Sequence, residues 1–103
     1  MNTNPPDANN TTITRHLRIT GSVQGVGYRW NMMQEAQRLG LAGWVRNRLD
    51  GSVEAVVCGP VGAVHALVDW AQSGPMGARV DGVAAKEIEG GELLRGFEQW
   101  ETV

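Results

Sequence analysis

The chain of 103 residues has the length of one domain, and it can bury a modest core without the help of a bound cofactor. Its formal net charge of −2 argues against a general nucleic-acid-binding protein, because such a protein needs a basic face. The single cysteine, Cys58, excludes an internal disulfide and a multi-cysteine metal site and favours a reducing cytoplasm, and no apolar run approaches the length of a membrane span.

The N-terminal segment differs in composition from the rest of the chain. Residues 1–12 are rich in Asn, Thr and Pro and contain almost nothing apolar. Such a segment cannot bury enough apolar surface to offset the entropy that ordering would cost. We therefore predict that residues 1–12 are a disordered extension and that residues 13–103 form a single domain.

The first predicted elements are a strand over residues 13–21 and a helix over residues 28–39, separated by a glycine-containing loop. In the strand, apolar side chains fall on one face, although the alternation is imperfect at its start. In the helix, apolar residues recur at spacings of three and four. Gly40 is well placed to end this helix in the left-handed conformation.

A hairpin and a second helix follow. Strands are predicted over residues 41–48 and 52–58, joined by a turn at Asp50-Gly51. The second helix begins after Gly59-Pro60 and carries one apolar stripe, which consists of Val64, Leu67, Val68 and Ala71.

Two more strands complete the predicted elements. One covers residues 78–86, and Gly82 inside it indicates a bulge or bend. The other covers residues 97–101. If these last two strands count as one split fourth segment, the order is that of an α+β protein with a ferredoxin-like βαββαβ sandwich, in which an antiparallel sheet carries two helices on one face. Strand one should lie beside strand three in this arrangement.

The loop between the first strand and the first helix has the composition of an anion-binding site. Gly25 and Gly27 allow backbone N–H groups to converge, and the start of a helix adds partial positive charge. Arg29 adds a fork of donors at a place where a cation is unfavourable with the helix dipole, which an anion would offset. The loop matches neither a Walker A motif nor a dinucleotide fingerprint. A tight turn without a ligand is the alternative interpretation.

The second polar candidate is Asn47, which lies near the end of the predicted strand 41–48. A neutral amide both donates and accepts hydrogen bonds, so Asn47 could orient a water molecule without competing for its proton. The alternative is an asparagine that bonds its own backbone beside a turn. No metal site is predicted, because the only two histidines, His16 and His65, are far apart and no acids stand at ligand spacing.

These two segments together resemble the acylphosphatase family. Residues 21–29 are similar to its first signature, and residues 40–47 followed by residues 50–54 are similar to its second. The resemblance runs from about residue 14 to residue 98. Tyr28 stands where phenylalanine is frequent in the family, and the C-terminal strand fits only loosely.

The resemblance implies a metal-free hydrolase without a cofactor, which cleaves the carboxyl–phosphate anhydride of small acyl phosphates. The family's catalytic arginine falls on Arg29 and its catalytic asparagine falls on Asn47. The phosphate cradle falls on the loop amides, which belong to Gln24, Gly25, Val26, Gly27, Tyr28 and Arg29. We also expect a cytoplasmic monomer that binds neither nucleic acid nor membranes.

Two other functions are alternatives to this one. A non-catalytic ferredoxin-like module that binds a phosphorylated metabolite or docks on a protein would use the same loop. An RNA-recognition sheet is disfavoured, because the chain lacks the strand motif of basic and aromatic residues that such sheets carry.

Overall fold

A computed structural model describes residues 11–103. Its strands and helices follow the predicted order. They are β1 (Thr12–Ser22), α1 (Tyr28–Arg38), β2 (Ala42–Asn47), β3 (Val53–Pro60), α2 (Val61–Ser73), β4 (Arg79–Ile88) and β5 (Phe97–Gln99), with a short 3-10 turn at Gly91–Leu93 between the last two strands. The disorder predicted for residues 1–12 falls mostly on residues 1–10, which lie outside the described residues, while Thr12 already belongs to β1.

The five strands form one sheet in the order β4-β1-β3-β2-β5. As predicted, β1 lies beside β3, and the pairs β1–β3, β1–β4 and β2–β3 are antiparallel. The sheet is nevertheless mixed, because β5 pairs in parallel with β2. After β4 the chain leaves one edge of the sheet and returns to the opposite edge, where it runs in the direction of β2.

The irregularity predicted around Gly82 is a register shift in the β1–β4 pair. Thr20 lies opposite Gly82, whereas the next residue, Gly21, lies opposite Val80. Asp81 is therefore the extra residue of a β-bulge.

The core lies between the two helices and one face of the sheet. The predicted apolar faces of the strands are buried, and the stripe of α2 packs against them. The central members of this core are Leu17, Ile19, Val45, Val53, Ala55, Val57, Met32, Ala36, Val64, Leu67 and Ala71. Neither helix in the described part of the chain is long and apolar enough to cross a membrane.

The topology determines where the polar candidates meet. Because β1 and β2 are both antiparallel to β3, they run in the same direction, and β5 runs with them. The three C-terminal strand ends therefore lie at one end of the sheet. This places the loop after β1 beside Asn47, the last residue of β2, and Gln99, the last residue of β5.

Candidate active site

A cavity of about 130 Å³ opens at this end of the sheet. Its walls come from the loop after β1, the first turn of α1 and the ends of β2 and β5. The lining residues are Val23, Gly25, Gly27, Tyr28, Arg29, Trp30, Asn47 and Gln99. Arg29 and Asn47, which were predicted from separate segments, thus face one cavity.

Not every residue expected at the phosphate cradle lines this cavity. Gln24 is absent from its walls, because its side-chain amide turns toward the β2–β3 hairpin. Val26 is also absent and packs partly buried against the core. Conversely, sequence reasoning missed Val23, Trp30 and Gln99. Of these three, only Trp30 could have been predicted to line the cavity, because it directly follows Arg29 in the predicted helix.

The loop conformation depends on two glycines. Gly25 and Gly27 each have a φ of +77°, a left-handed conformation that other residues adopt only with strain. Gly27 is also the N-cap of α1, and no side chain caps the first turn. Asn31 holds the Gly27 carbonyl with its backbone N–H at 3.0 Å and with Nδ2 at 2.8 Å. Because this carbonyl is turned into the helix, the free N–H groups of the first turn remain available to an anion.

Arg29 is half-buried and has no carboxylate or carbonyl partner within residues 11–103. It differs in this respect from the other seven of the eight arginines, which all lie in the same range. Six of them form ion pairs, and Arg95 donates to two backbone carbonyls. An unpaired guanidinium beside the positive end of a helix dipole makes the cavity strongly favourable for an anion.

The side chain of Asn47 is also left without a partner. Its Oδ1 is buried and accepts no hydrogen bond from any described residue. The alternative interpretation, an asparagine that closes the neighbouring turn, is not what the structure shows. That turn is closed by Asp50, whose Oδ1 accepts from the Ser52 backbone N–H at 2.9 Å and from the Ser52 hydroxyl at 2.6 Å.

The backbone of Asn47 is held on both sides. In the sheet it lies opposite Val53 of β3. On the other side, the backbone N–H of Val103 donates to the Asn47 carbonyl at 3.4 Å, and the Leu49 N–H donates to the Val103 carbonyl at 3.0 Å. A buried side-chain acceptor without a partner costs free energy, so its retention here points to a ligand that donates to it.

Tyr28 anchors the start of α1 rather than offering a reactive group. Its ring is buried and tilted against Trp70, with ring centroids 5.4 Å apart. Its hydroxyl donates to the Ala71 carbonyl at 2.7 Å. In a continuing helix that carbonyl would bond residue 75, but Pro75 has no N–H. Burial raises the pKa of the Tyr28 phenol well above its usual range, so the hydroxyl remains a donor.

The cavity therefore combines backbone donors, a guanidinium and an amide oxygen. Its lining contains no histidine and no carboxylate, so it offers no side chain of the usual general-base type. In the part of the chain that the structure describes, no three His, Cys, Asp or Glu side chains are grouped in a way that could hold a metal ion.

Comparisons with known proteins point to one family. A family model described as Acylphosphatase matches residues 15–99. An acylphosphatase of Acidovorax sp. (strain JS42) is 56% identical over 92 residues, which are 89% of this chain and 94% of that protein. An acylphosphatase of Thiobacillus denitrificans is 57% identical over 84% of this chain and 94% of its own. The crystal structure of acylphosphatase from Bacillus subtilis superposes with a TM-score of 0.82 at 33% identity, over 85% of this chain and 98% of that one.

Proposed function

The chain belongs to the acylphosphatase family and is an enzyme of that type, and we propose that it hydrolyses the carboxyl–phosphate bond of small acyl phosphates without a metal ion. In this proposal Arg29 and the loop amides hold the phosphoryl group, and Asn47 positions the attacking water. One observation carries the assignment of roles: an unpaired guanidinium and an unpaired buried amide oxygen line the same cavity.

The phosphoryl oxygens are bound by positive groups that are already in place. Gly25, Gly27 and Arg29 all line the cavity, which supports binding of the phosphoryl oxygens by the loop N–H groups and the guanidinium. In phosphoryl transfer the transition state is loose, and its charge is spread over the three equatorial oxygens. Donors fixed around those oxygens stabilise the transition state more than the ground state. The loop N–H groups and Arg29 can therefore supply the charge stabilisation for which other enzymes use a metal ion.

The attacking water is oriented by the amide of Asn47. The buried Oδ1 accepts a hydrogen from the water, which turns a lone pair of the water oxygen toward phosphorus. Holding the nucleophile in line with the breaking bond removes much of the entropic part of the barrier. An amide does this without taking the proton, because it is not basic.

The bonds and protons balance without a side-chain base. A bond forms between the water oxygen and phosphorus, and the bond between phosphorus and the carboxyl oxygen breaks. The carboxylate leaves with the electron pair and needs no proton, because its conjugate acid is strong enough to be ionised at neutral pH. One proton of the water passes to a phosphoryl oxygen of the substrate. The products are a carboxylate and inorganic phosphate.

The direct test is phosphate release from acetyl phosphate and benzoyl phosphate in the presence of EDTA. We expect turnover that EDTA does not reduce and that added Mg²⁺ does not stimulate. A protein that binds inorganic phosphate but releases none from either substrate would be a binding module, and the proposed reaction would be wrong. Turnover that EDTA abolishes would overturn the metal-free mechanism alone.

We also propose that the enzyme acts as a monomer in the cytoplasm. Arg29 and Asn47 of a single chain already line one cavity, which supports a site that is complete within one copy. Cys58 is buried and free, as is usual for proteins of reducing compartments. Size-exclusion chromatography with light scattering and cell fractionation test these two statements separately.

A further inference from the structure

The indole of Trp30 differs from the other tryptophan rings of the chain. All four tryptophans lie within residues 11–103, and three of them have an aromatic neighbour there. Trp70 lies against Tyr28, and Trp44 stacks on Trp100 with ring centroids 4.3 Å apart. Trp30 has no such ring partner, and it is 54% exposed. An indole left in water forgoes the free energy that burial would supply, so its surroundings need an explanation.

Its position supplies one. Trp30 follows Arg29 in the first turn of α1 and lines the same cavity as Arg29 and Asn47. The mechanism above uses Arg29, Asn47 and the loop amides, but it leaves Trp30 and Gln99 without a role. The other lining side chain of α1 outside the reacting groups, Tyr28, is buried and bonded to the Ala71 carbonyl.

The size of the cavity indicates what these two residues face. A volume of about 130 Å³ has room for roughly four water molecules. A phosphoryl group and one water fill most of that space. The acyl group of any substrate larger than acetyl must therefore extend past the reacting groups to the rim of the cavity.

Beside the cavity, α1 and β5 are joined by one side-chain contact. Trp30 and Met33 are three residues apart on α1 and therefore neighbours on one face of the helix. The side-chain amide of Gln99 donates to the Met33 sulfur at 3.9 Å, which joins β5 to this face. Asn47 belongs to β2 and Trp30 to α1, so the proposed water site and the proposed acyl site come from different elements of the cavity wall.

We propose that Trp30 is a specificity-determining residue that binds the acyl group and favours aromatic acyl phosphates over acetyl phosphate. This inference rests on the proposed function, since it assigns the acyl side of the same site. The flat indole offers its face to a planar acyl group, and an aromatic pair contributes more than the burial of area alone. Exposure of the ring before binding means that the contact is made only with substrate.

The test compares kcat/KM for benzoyl phosphate with kcat/KM for acetyl phosphate. In Trp30→Ala the benzoyl-to-acetyl ratio should fall about three- to tenfold, which is the range expected for one aromatic contact. Trp30→Phe should keep most of the preference. Trp100→Ala is the matched control, because Trp100 is also partly exposed but does not line the cavity; its ratio should equal that of the wild type.

Two outcomes would overturn the proposal: an unchanged ratio in Trp30→Ala, or an equal change in Trp30→Ala and Trp100→Ala. The inhibition constant of inorganic phosphate should be the same in wild type and Trp30→Ala, because phosphate has no acyl group. A rise of this constant in parallel with the loss of activity would place Trp30 in the phosphate cradle instead, and would also overturn the proposal. Failure of the proposed function has a different signature, namely the absence of phosphate release from both substrates by the wild type.

Discussion

The side-chain amide of Gln24 donates to the backbone carbonyl of Arg48 at 2.8 Å, and the same Nε2 donates to the Ser52 carbonyl at 2.9 Å. Gln24 belongs to the loop after β1, while Arg48 directly follows Asn47. These two bonds therefore join the loop that we propose binds phosphate to the end of the strand that carries Asn47. The side chain of Gln24, a residue whose backbone amide was predicted to belong to the phosphate cradle, thus joins this loop to the β2–β3 hairpin.

Loss of these two hydrogen bonds should lower activity, because the loop after β1 would no longer be held in place against the β2–β3 hairpin. In Gln24→Glu a carboxylate would face two carbonyl oxygens and could donate to neither. We expect a loss of about 1–3 kcal/mol in the free energy of unfolding and a higher inhibition constant for phosphate. Gln34→Glu is the control, because Gln34 is exposed on α1 and adds the same charge away from the loop. Equal effects of the two substitutions on phosphate inhibition would contradict the linking role.

Arg29→Ala should remove activity without weakening the fold. Loss of its contacts to the phosphoryl oxygens should lower kcat/KM at least about a hundredfold. Since Arg29 has no partner among the described residues and lies at the positive end of α1, the free energy of unfolding should stay the same or rise by about 0.3–1 kcal/mol. Steady-state kinetics and urea denaturation measure the two effects. Arg79→Ala, at an exposed ion pair with Asp81, should leave kcat/KM at its wild-type value; a comparable loss there would show that net charge, not position, matters.

Asn47→Ala should separate turnover from phosphate binding. Without the amide oxygen the water is not oriented, and kcat should fall about 10²- to 10³-fold. The inhibition constant of phosphate should change less than about threefold, a difference too small to reflect a lost charged contact. Asn47→Asp provides the contrast, because it keeps the shape and the acceptors but adds a negative charge that should weaken phosphate binding. A normal kcat in Asn47→Ala on benzoyl phosphate would exclude the water-positioning role.

Two glycines allow a matched test of the loop. Gly25 and Gly40 have φ values of +77° and +72°, and a Cβ added at either would meet no atom within 4 Å. Alanine at both positions should therefore cost a similar amount of stability, about 1–2 kcal/mol from backbone strain. Only Gly25→Ala should raise the inhibition constant of phosphate, since Gly40 ends α1 far from the cavity. The prediction fails if Gly25→Ala and Gly40→Ala differ in the midpoint of thermal unfolding but have the same inhibition constant for phosphate.

The carboxyl of Glu54 should make the stability depend on acid pH. Partial burial raises the pKa of Glu54, but hydrogen bonds from His16 and Arg46 together outweigh it and hold the pKa below its usual 4.5. Arg48 also approaches the same carboxylate, at 3.4 Å. For a carboxyl whose pKa is lowered by folding, the stabilisation is complete above the unfolded value and is lost as the pH falls through the folded value.

Urea denaturation between pH 3 and pH 7 tests this dependence. The free energy of unfolding should fall below about pH 4.5, and Glu54→Gln should remove part of that slope. At neutral pH the substitution should cost about 1–2 kcal/mol, because it weakens charge-assisted hydrogen bonds. Glu98→Gln, at an exposed position, is the control. Identical pH slopes in the wild type and Glu54→Gln would refute the assignment.

Much of the fold could be predicted because it depends on short-range periodicity. The apolar stripe of α2 and the alternation in β3 show which faces are buried before any tertiary contact is known. The pairing of β5 could not be predicted in the same way. Its three residues carry no periodic pattern, and its parallel position beside β2 depends on the path of the chain after β4.

The same distinction holds for the site. Arg29 is a cation at the positive end of a predicted helix, where a cation is unfavourable. Asn47 is a polar amide near the end of a predicted strand. Each of them could therefore be noticed in the sequence. The side chain of Gln24 gave no such sign, because its partners lie 24 and 28 residues away in the chain. Likewise, the position of Gln99 on the cavity wall follows only from the placement of β5.

The unpaired groups of the cavity have a consequence for laboratory evolution. Substitutions at Arg29 and Asn47 should raise the free energy of unfolding, because they would remove an unfavourable charge or an unsatisfied acceptor. A library selected for heat tolerance alone should therefore accumulate substitutions at these two codons early. The selected proteins would be more thermostable but inactive. A selection for a thermostable enzyme must therefore require substrate turnover in every round.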